Sequence, residues 1–298
     1  MGEPIYGVVP NFSEGRRADV MDAICDALQV PGARLVYRQA DADHNRLDTT
    51  VLGSRDGVRR AAVAATRVAV GLIDMERHRG GHPRMGAADV IPFMPVRDVS
   101  IEECIELADE VAEQLARELD LPVYLYDRAA RVPDRRSLAD VRRGEYEGLR
   151  DAVAKGERLP DAGPHAIGPE GATAVGARKA LVAFNVYLTG GEDAAKDIAR
   201  TIRGSSGGLP SLRAIGFAVP ERGLVTVSMN LVDFEVTGVR AAYDAVVAQA
   251  TARGSEVTDS EIVGLVPAAA LPNDDAAHVR LQGFDPSTQV LERLIEEM

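Results

Sequence analysis

The sequence predicts an α+β protein with two structural halves. Three observations carry that expectation. Short apolar strand patterns alternate with helical spacings along the whole chain instead of segregating into blocks. The C-terminal part reads strand, helix, strand, strand, helix, strand, which is the ferredoxin-like order. The chain has 298 residues, 46% of them hydrophobic and 27% charged, an ordinary globular composition with length enough for two domains.

The elements follow in order. Ile5–Val9 reads as a strand ended by Pro10, and the turn Asn11–Phe12–Ser13–Glu14–Gly15 leads into a helix to about Leu28. Ala33–Tyr37 and Asp48–Leu52 are strands flanking the polar stretch Asp41–Ala42–Asp43–His44–Asn45–Arg46, and residues 56–73 have helical spacing. Val90–Val96 is apolar and extended, but Pro92 and Pro95 demote it to an edge or irregular strand. Ser100 and Glu103 form a capping box, opening a helix with Ile105, Ala108, Val111 and Leu115 on one face. Pro122–Tyr126 is a short strand, and Ser137–Gly156 reads as one helix.

From Leu159 to Gly176 the chain is rich in Gly, Pro and Ala, too long a run for a simple connector. Beyond it come a strand (Lys179–Leu188), a helix (Ala194–Ile202), two strands (Ile215–Val219, Val225–Leu231), a helix (Thr237–Ala252), a strand (Glu261–Val266) and a terminal helix (Pro286–Glu297). The expected domains are residues 1–177 and 178–298.

Charge and composition exclude several classes. Net charge is −12 and aromatics make up 4% with no Trp, so neither phosphate-backbone binding nor base stacking is favoured. No basic-then-apolar leader opens the chain, and no apolar run reaches membrane-spanning length. A cytoplasmic protein without nucleic-acid or membrane partners is expected. Cys25 and Cys104 lie on helices without metal-like spacing and read as reduced structural thiols.

The sharpest local signal is His78–Arg79–Gly80–Gly81–His82–Pro83–Arg84–Met85–Gly86. Two histidines four apart share a metal when they lie on a helix, but the glycines and Pro83 oppose a helix here. A lone histidine is more often structural than catalytic. Against that, the glycines permit close approach of backbone or ligand, and Arg84 supplies a carboxylate-binding fork. Asn11–Gly15 sits before a helix start, where backbone N–H groups favour anions, though by itself the segment is better read as a plain helix cap by Ser13. Asp41–Arg46 fits a solvated hairpin loop, and Arg178 with Lys179 a surface pair. Ser228 and Asn230 fall on the strand face opposite Val227, Met229 and Leu231.

Six stretches then point one way: VPNFSEG (Val9–Gly15), LIDMERHRGGHPRMGAADVIPFMPV (Leu72–Val96), LPVYLYDRAARVPDRRSL (Leu121–Leu138), GATAVGARKALVAFNVYL (Gly171–Leu188), VSMNLVDFEVTGV (Val227–Val239) and SEIVGLVP (Ser260–Pro267). In this order the chain resembles the formiminotransferase family over nearly its whole length. The resemblance implies two ferredoxin-like subdomains whose facing sheets enclose a folate tunnel, and a homodimer. It implies transfer of the formimino group from N-formimino-L-glutamate to N5 of tetrahydrofolate, in histidine degradation, with tetrahydrofolate as co-substrate and no metal.

The histidine of the HPRMG stretch is the family's acid/base, which corresponds to His82. Its unperturbed pKa lies near the working pH, so one imidazole can accept the N5 proton and return it to the leaving nitrogen. The Gly/Pro-rich segment contributes to folate binding, here about residues 163–172, with Gly163, Pro164, Gly171 and Ala172 as candidates. Arg46, Arg84 and Arg178 are candidates for substrate carboxylates, and Asn11, Ser13 and Asn230 for further contacts.

Three departures stand out. The chain stops at Met298, without room for the cyclodeaminase domain of animal members, so a monofunctional enzyme is expected. Tyr37 and Gln39 stand where some members have an acidic residue, leaving Asp41 or Asp43 as the carboxylate partner for the imidazole. Glu170 stands where some have an aromatic residue. The alternatives are formyl transfer from N-formyl-glutamate on the same fold, a non-catalytic folate-binding protein, and metal-dependent hydrolysis, which lacks a third ligand.

Overall fold

The computed structural model describes residues 3–272 and 275–296. The chain divides after Arg178 into two compact units.

In the first unit, β1 (Ile5–Val8) and β2 (Asn11–Phe12) are the two halves of a strand path interrupted at Val9 and Pro10. Helix α1 (Ala18–Leu28), the hairpin β3 (Ala33–Asp41) and β4 (Arg46–Gly53), and helix α2 (Arg55–Leu72) follow. Then come β5 (Ala88–Arg97), α3 (Ile101–Leu119), β6 (Val123–Asp127), the short α4 (Leu138–Val141), α5 (Glu145–Ala154) and β7 (Thr173–Ala177). These strands build one seven-stranded sheet in which β3 edges β4, β1 and β2 lie between β4 and β5, and β7 lies between β5 and β6. Only the β5–β7 and β7–β6 pairs are parallel.

The capping box forms as the spacing predicts, with Ser100 accepting from the Glu103 N–H and Glu103 from the Ser100 N–H, a pairing in which the Ser cap is worth about 1 kcal/mol. The face of α3 that it opens buries Cys104, Leu107, Ala108, Val111, Ala112 and Leu115. Ile105 is only partly buried against that core.

Three expectations need correction. Strand β5 is central, not an edge strand, despite Pro92 and Pro95, while its pairing with β1 and β2 carries the register shifts of an irregular strand. The Pro92 carbonyl accepts from the Val9 N–H at the handover from β1 to β2, and Pro95 pairs with Tyr6 beside a register shift. The end of the Gly/Ala-rich run is a strand, β7, whose small residues are buried throughout. Adding a Cβ to Gly176 would drive it into the Tyr126 ring and backbone. The helix expected over residues 137–156 is broken at residues 142–144, where Gly144 adopts φ 82° and Glu145 φ 55°.

The second unit has β8 (Val182–Leu188), α6 (Glu192–Ile202), β9 (Leu212–Val219), β10 (Leu224–Leu231), α7 (Val239–Thr251) and β11 (Val257–Val263). Their order along the chain is the expected one, and they form an antiparallel sheet ordered β11-β8-β10-β9. β11 begins and ends earlier than the expected Glu261–Val266. Helices α6 and α7 supply Ile198, Ile202, Ala242 and Val246 to a core completed by Phe184, Val227 and Met229. The short helices α8 (Asp275–His278), α9 (Pro286–Gln289) and α10 (Leu291–Glu296) follow. The terminal helix is therefore interrupted at Val290, which bridges to Val266, and Glu297 lies outside the described residues.

Candidate active site

Three chain segments converge at one end of the first unit's sheet: the turn after β2, the β3–β4 hairpin turn, and residues 78–86. Asn45, at φ 50°, is their junction. Its Oδ1 accepts the Gly15 N–H at 2.9 Å, its Nδ2 donates to the Arg79 carbonyl at 3.1 Å, and its own carbonyl faces His78 Nε2 at 3.1 Å. A Cβ on Gly15 would collide with the Asp41 carbonyl, and one on Gly80 with the His44 carbonyl. Both glycines are thus required by close backbone approach to the hairpin turn.

Ser13 does not cap α1. Its hydroxyl donates to the Gly86 carbonyl at 2.8 Å, and the helix begins four residues later behind Arg17. The carboxylate of Glu14 takes the N–H groups of Arg16 and Arg17, each at 2.9 Å. Burial alone would raise its carboxyl, but those bonds and the Arg17 guanidinium outweigh it and hold it below the usual range.

His78 and His82 have separate environments. The Arg84 Nε–H donates to His78 Nδ1 at 3.3 Å, so Nδ1 carries no proton, and the Nε2 proton goes to the Asn45 carbonyl. His78 is therefore a buried neutral imidazole, and burial with the neighbouring Arg84 holds its pKa down. The Arg84 fork is engaged too: Nη1 donates to Glu145 at 2.6 Å and to Glu147 at 2.9 Å, and Nη2 to Glu147 at 2.7 Å. Arg84 thus clamps the start of α5 onto the histidine-bearing segment.

His82 faces a cleft of about 180 Å3 lined by Ser13, His44, Arg46, His78, Arg84 and Asp89, among others. Two guanidiniums act on it. Arg46 donates to Asn11 Oδ1 and pairs with Asp48 at 2.7 Å. Arg142, in the break between α4 and α5, pairs with Asp89, whose other oxygen accepts the Met85 N–H at 2.7 Å. The buried Nε atoms of both arginines have no hydrogen-bond partner among the described residues. Burial first, then the positive charge of Arg46 and Arg142, pushes the His82 pKa down to about 3. Across the cleft, the His44 ring meets His82 edge to face at 6.1 Å between centroids. Asp41 holds His44 through Nδ1 at 2.6 Å, so this carboxylate partners His44 and not His82.

A cleft with a histidine, two arginines and unpaired donors suits an anionic substrate that exchanges a proton. Comparison with known proteins assigns the lineage. Residues 5–178 match the family model described as the formiminotransferase domain, N-terminal subdomain, and residues 183–294 the model described as the formiminotransferase domain. The chain belongs to the formiminotransferase family. It is similar to a glutamate formimidoyltransferase of Streptococcus pyogenes, 41% identical with 97% of each chain covered. It is also similar to one of Thermoplasma acidophilum, 40% identical over 97% of this chain and 96% of the relative. The formimidoyltransferase-cyclodeaminase of Rattus norvegicus is 44% identical over 88% of this chain, and only 50% of that longer protein is covered.

Among the residues expected to form this family member's site, Asn11, Ser13, Arg46, His82 and Arg84 gather at the cleft. Gly171 and Ala172 lie beside it: Gly171 bridges to Gly86, and the Ala172 N–H donates to the Met85 carbonyl at 2.9 Å. Gly163, at φ 88°, is packed on the Leu121 carbonyl, with half-buried Pro164 beyond it. Arg178 follows β7, its N–H donating to the Phe93 carbonyl at 2.9 Å and its side chain meeting Tyr126. Asn230 belongs to the second unit, exposed on the sheet face the alternation predicts. Arg142 and Asp89 are site residues that the sequence reading misses. Arg142 was hidden inside an apparently continuous helix, and the one usable signal was Gly144 just after it.

Proposed function

We propose that this protein is a glutamate formiminotransferase, moving the formimino group from N-formimino-L-glutamate to N5 of tetrahydrofolate. The observation that carries the reading is His82 in a cleft with Arg46, under the positive charge of both Arg46 and Arg142, in a chain of this family. N5 forms a bond to the amidine carbon and sheds a proton; the bond from that carbon to the glutamate nitrogen then breaks, and that nitrogen takes a proton up. His82 is the group that contacts these nitrogens. Its neutral form is the one present before substrate binds. A substrate carboxylate seated on Arg46 and Arg142 neutralises part of the charge that keeps the imidazole from accepting a proton.

The amino-acid donor's carboxylates are assigned to Arg46 and Arg142, with Arg84 bracing the segment instead of binding substrate. Arg178, Asn230 and residues 163–172 are assigned to the folate. The reading also includes two ferredoxin-like subdomains, a homodimer, no metal requirement, and a cytoplasmic role in histidine degradation.

The test is a turnover assay of purified protein with tetrahydrofolate and, separately, N-formimino-glutamate and N-formyl-glutamate. Formimino transfer at the higher kcat/KM is expected. Faster formyl transfer would replace the donor, and tight folate binding without turnover would make the protein a folate carrier.

A further inference from the structure

The proton inventory of the cleft contains a difficulty. Transfer needs a proton held somewhere between its loss from N5 and its gain by the glutamate nitrogen. His82 is the less favourable place to keep it, because a substrate carboxylate offsets only part of the Arg46 and Arg142 charge that acts on its ring. The opposite wall of the cleft offers a better one. His44 stands on the β3–β4 turn with its Nδ1 on Asp41 Oδ2 at 2.6 Å and its backbone N–H on Asp41 Oδ1 at 2.8 Å. With Nδ1–H donated to Asp41, Nε2 is left as the acceptor, and it has no partner among the described residues. An imidazolium on His44 would form an ion pair with Asp41, where one on His82 has no carboxylate of its own.

We propose that the His44–Asp41 pair is the proton store of this site, receiving the N5 proton through His82 and supplying it for the departing nitrogen. The inference rests on the formimino-transfer reading and deepens it. The ring centroids are 6.1 Å apart and the rings meet edge to face at 79°, which brings the two imidazoles within reach of one substrate. No atom is consumed: the proton leaves N5, resides on His44 Nε2, and returns to the glutamate nitrogen as its bond to carbon breaks. Asp41 fixes the tautomer and stabilises the charged ring, the part a carboxylate plays behind a catalytic imidazole.

The groups facing His44 are consistent with this role. On its own hairpin are Asp41, Asp43 and Arg46. From the turn after β2, the Arg16 Nε–H donates to the Ala42 carbonyl at 2.7 Å, fixing the turn's backbone. From residues 78–84 come His82 itself and the Gly80–Gly81 backbone, with the Gly81 N–H on the Asp43 carbonyl at 3.1 Å. Arg142 lies beyond His82. Asp41 is the carboxylate in contact with the ring. Burial alone would raise its carboxyl, but the His44 hydrogen bonds outweigh that and keep it ionised.

The test measures kcat and both KM values against pH, from 5 to 9, for wild type, His44→Gln, Asp41→Asn and His82→Asn. Glutamine keeps a polar side chain at the turn but cannot store a proton. His44→Gln is expected to lower kcat by about tenfold or more, to leave both KM values within about threefold, and to abolish the acid limb of the kcat profile. Asp41→Asn is expected to move that limb to lower pH, because the imidazolium loses its counter-charge. A His44→Gln enzyme with wild-type kcat would overturn the inference. So would one with reduced kcat but an unchanged pH profile, since that is what a purely structural residue gives. If wild type turns over no donor, the formimino-transfer reading fails and this inference with it; an active wild type lacking the His44 contrast sinks the inference alone.

Discussion

His78 and His82 are four residues apart and have opposite relations to the solvent-facing cleft. His78 has both ring nitrogens committed, one accepting from Arg84 and one donating to Asn45. His82 has its ring turned to the cleft and to two guanidiniums. His82→Ala is accordingly expected to lower kcat by about a hundredfold or more, with folate affinity within a few-fold of wild type by direct binding. His82→Asn should be nearly as slow, because it keeps polarity and loses proton exchange. Near-normal turnover in either variant would remove His82 from the reaction.

The arginines divide in the same way. Arg142→Ala removes a positive charge near His82 and the partner of Asp89; if that charge holds a donor carboxylate, the donor KM should rise by roughly tenfold or more, as losing a charge-assisted bond of about 1.5–3 kcal/mol requires. Arg84→Ala instead leaves His78 Nδ1, Glu145 and Glu147 without their cation. It should lower the melting temperature by several degrees while the donor KM changes little. Steady-state kinetics and thermal melts on the two variants decide the assignment, and the reversed pattern would return Arg84 to substrate binding.

At the scale of elements, the sequence made the amphipathic helices legible, because a buried face with 3.6-residue spacing survives in the text whatever it packs against. The capping box at Ser100 and the buried face of α3 were readable for that reason. The elements it concealed are those whose identity depends on distant partners. Residues 173–177 read as loop because Gly and Ala carry little strand preference, and they become β7 only between β5 and β6. Prolines 92 and 95 read as signs of an edge or irregular strand, yet β5 is central: Pro92 faces the handover from β1 to β2 and Pro95 stands beside a register shift. Arg142 reached the site through a helix break that periodicity smoothed over. The two glycines beside His82 were legible as a point of close approach, and the hairpin turn at residues 41–46 is what approaches. They are not equivalent, however. Gly80→Ala would press a methyl into the His44 carbonyl and should destabilise the protein by about 1–3 kcal/mol, as overpacking does, and lower kcat by displacing His44. A Cβ on Gly81 would have its nearest neighbour, the Asp43 carbonyl, at 3.7 Å, an ordinary contact, so Gly81→Ala should be mild in both measurements. Equal effects from the two substitutions would mean that the hairpin turn is not what positions the cleft.

For the whole molecule, a homodimer is expected from the family reading, and light scattering at micromolar concentration checks it; a stable monomer would refute it. Stability should also carry the signature of two imidazoles, His78 buried and His82 half-buried. His78 and His82 are both held below the ordinary histidine value near 6.5, His82 down to about 3. In the unfolded chain each takes a proton as the pH falls through about 6.5, whereas in the folded chain each resists it. The unfolded state therefore binds more protons in this range, and stability rises with pH. The contribution is fully present above pH 6.5 and is progressively lost as the pH falls from there towards 3. The urea midpoint at fixed protein concentration should thus be lower at pH 5 than at pH 7.5. His82→Asn should shrink that difference, because one of the two groups that refuse a proton is gone. A wild-type midpoint that does not move between these pH values would show that the imidazole of His82 is free to charge in the folded protein, and the two guanidiniums beside it would lose the electrostatic role assigned to them.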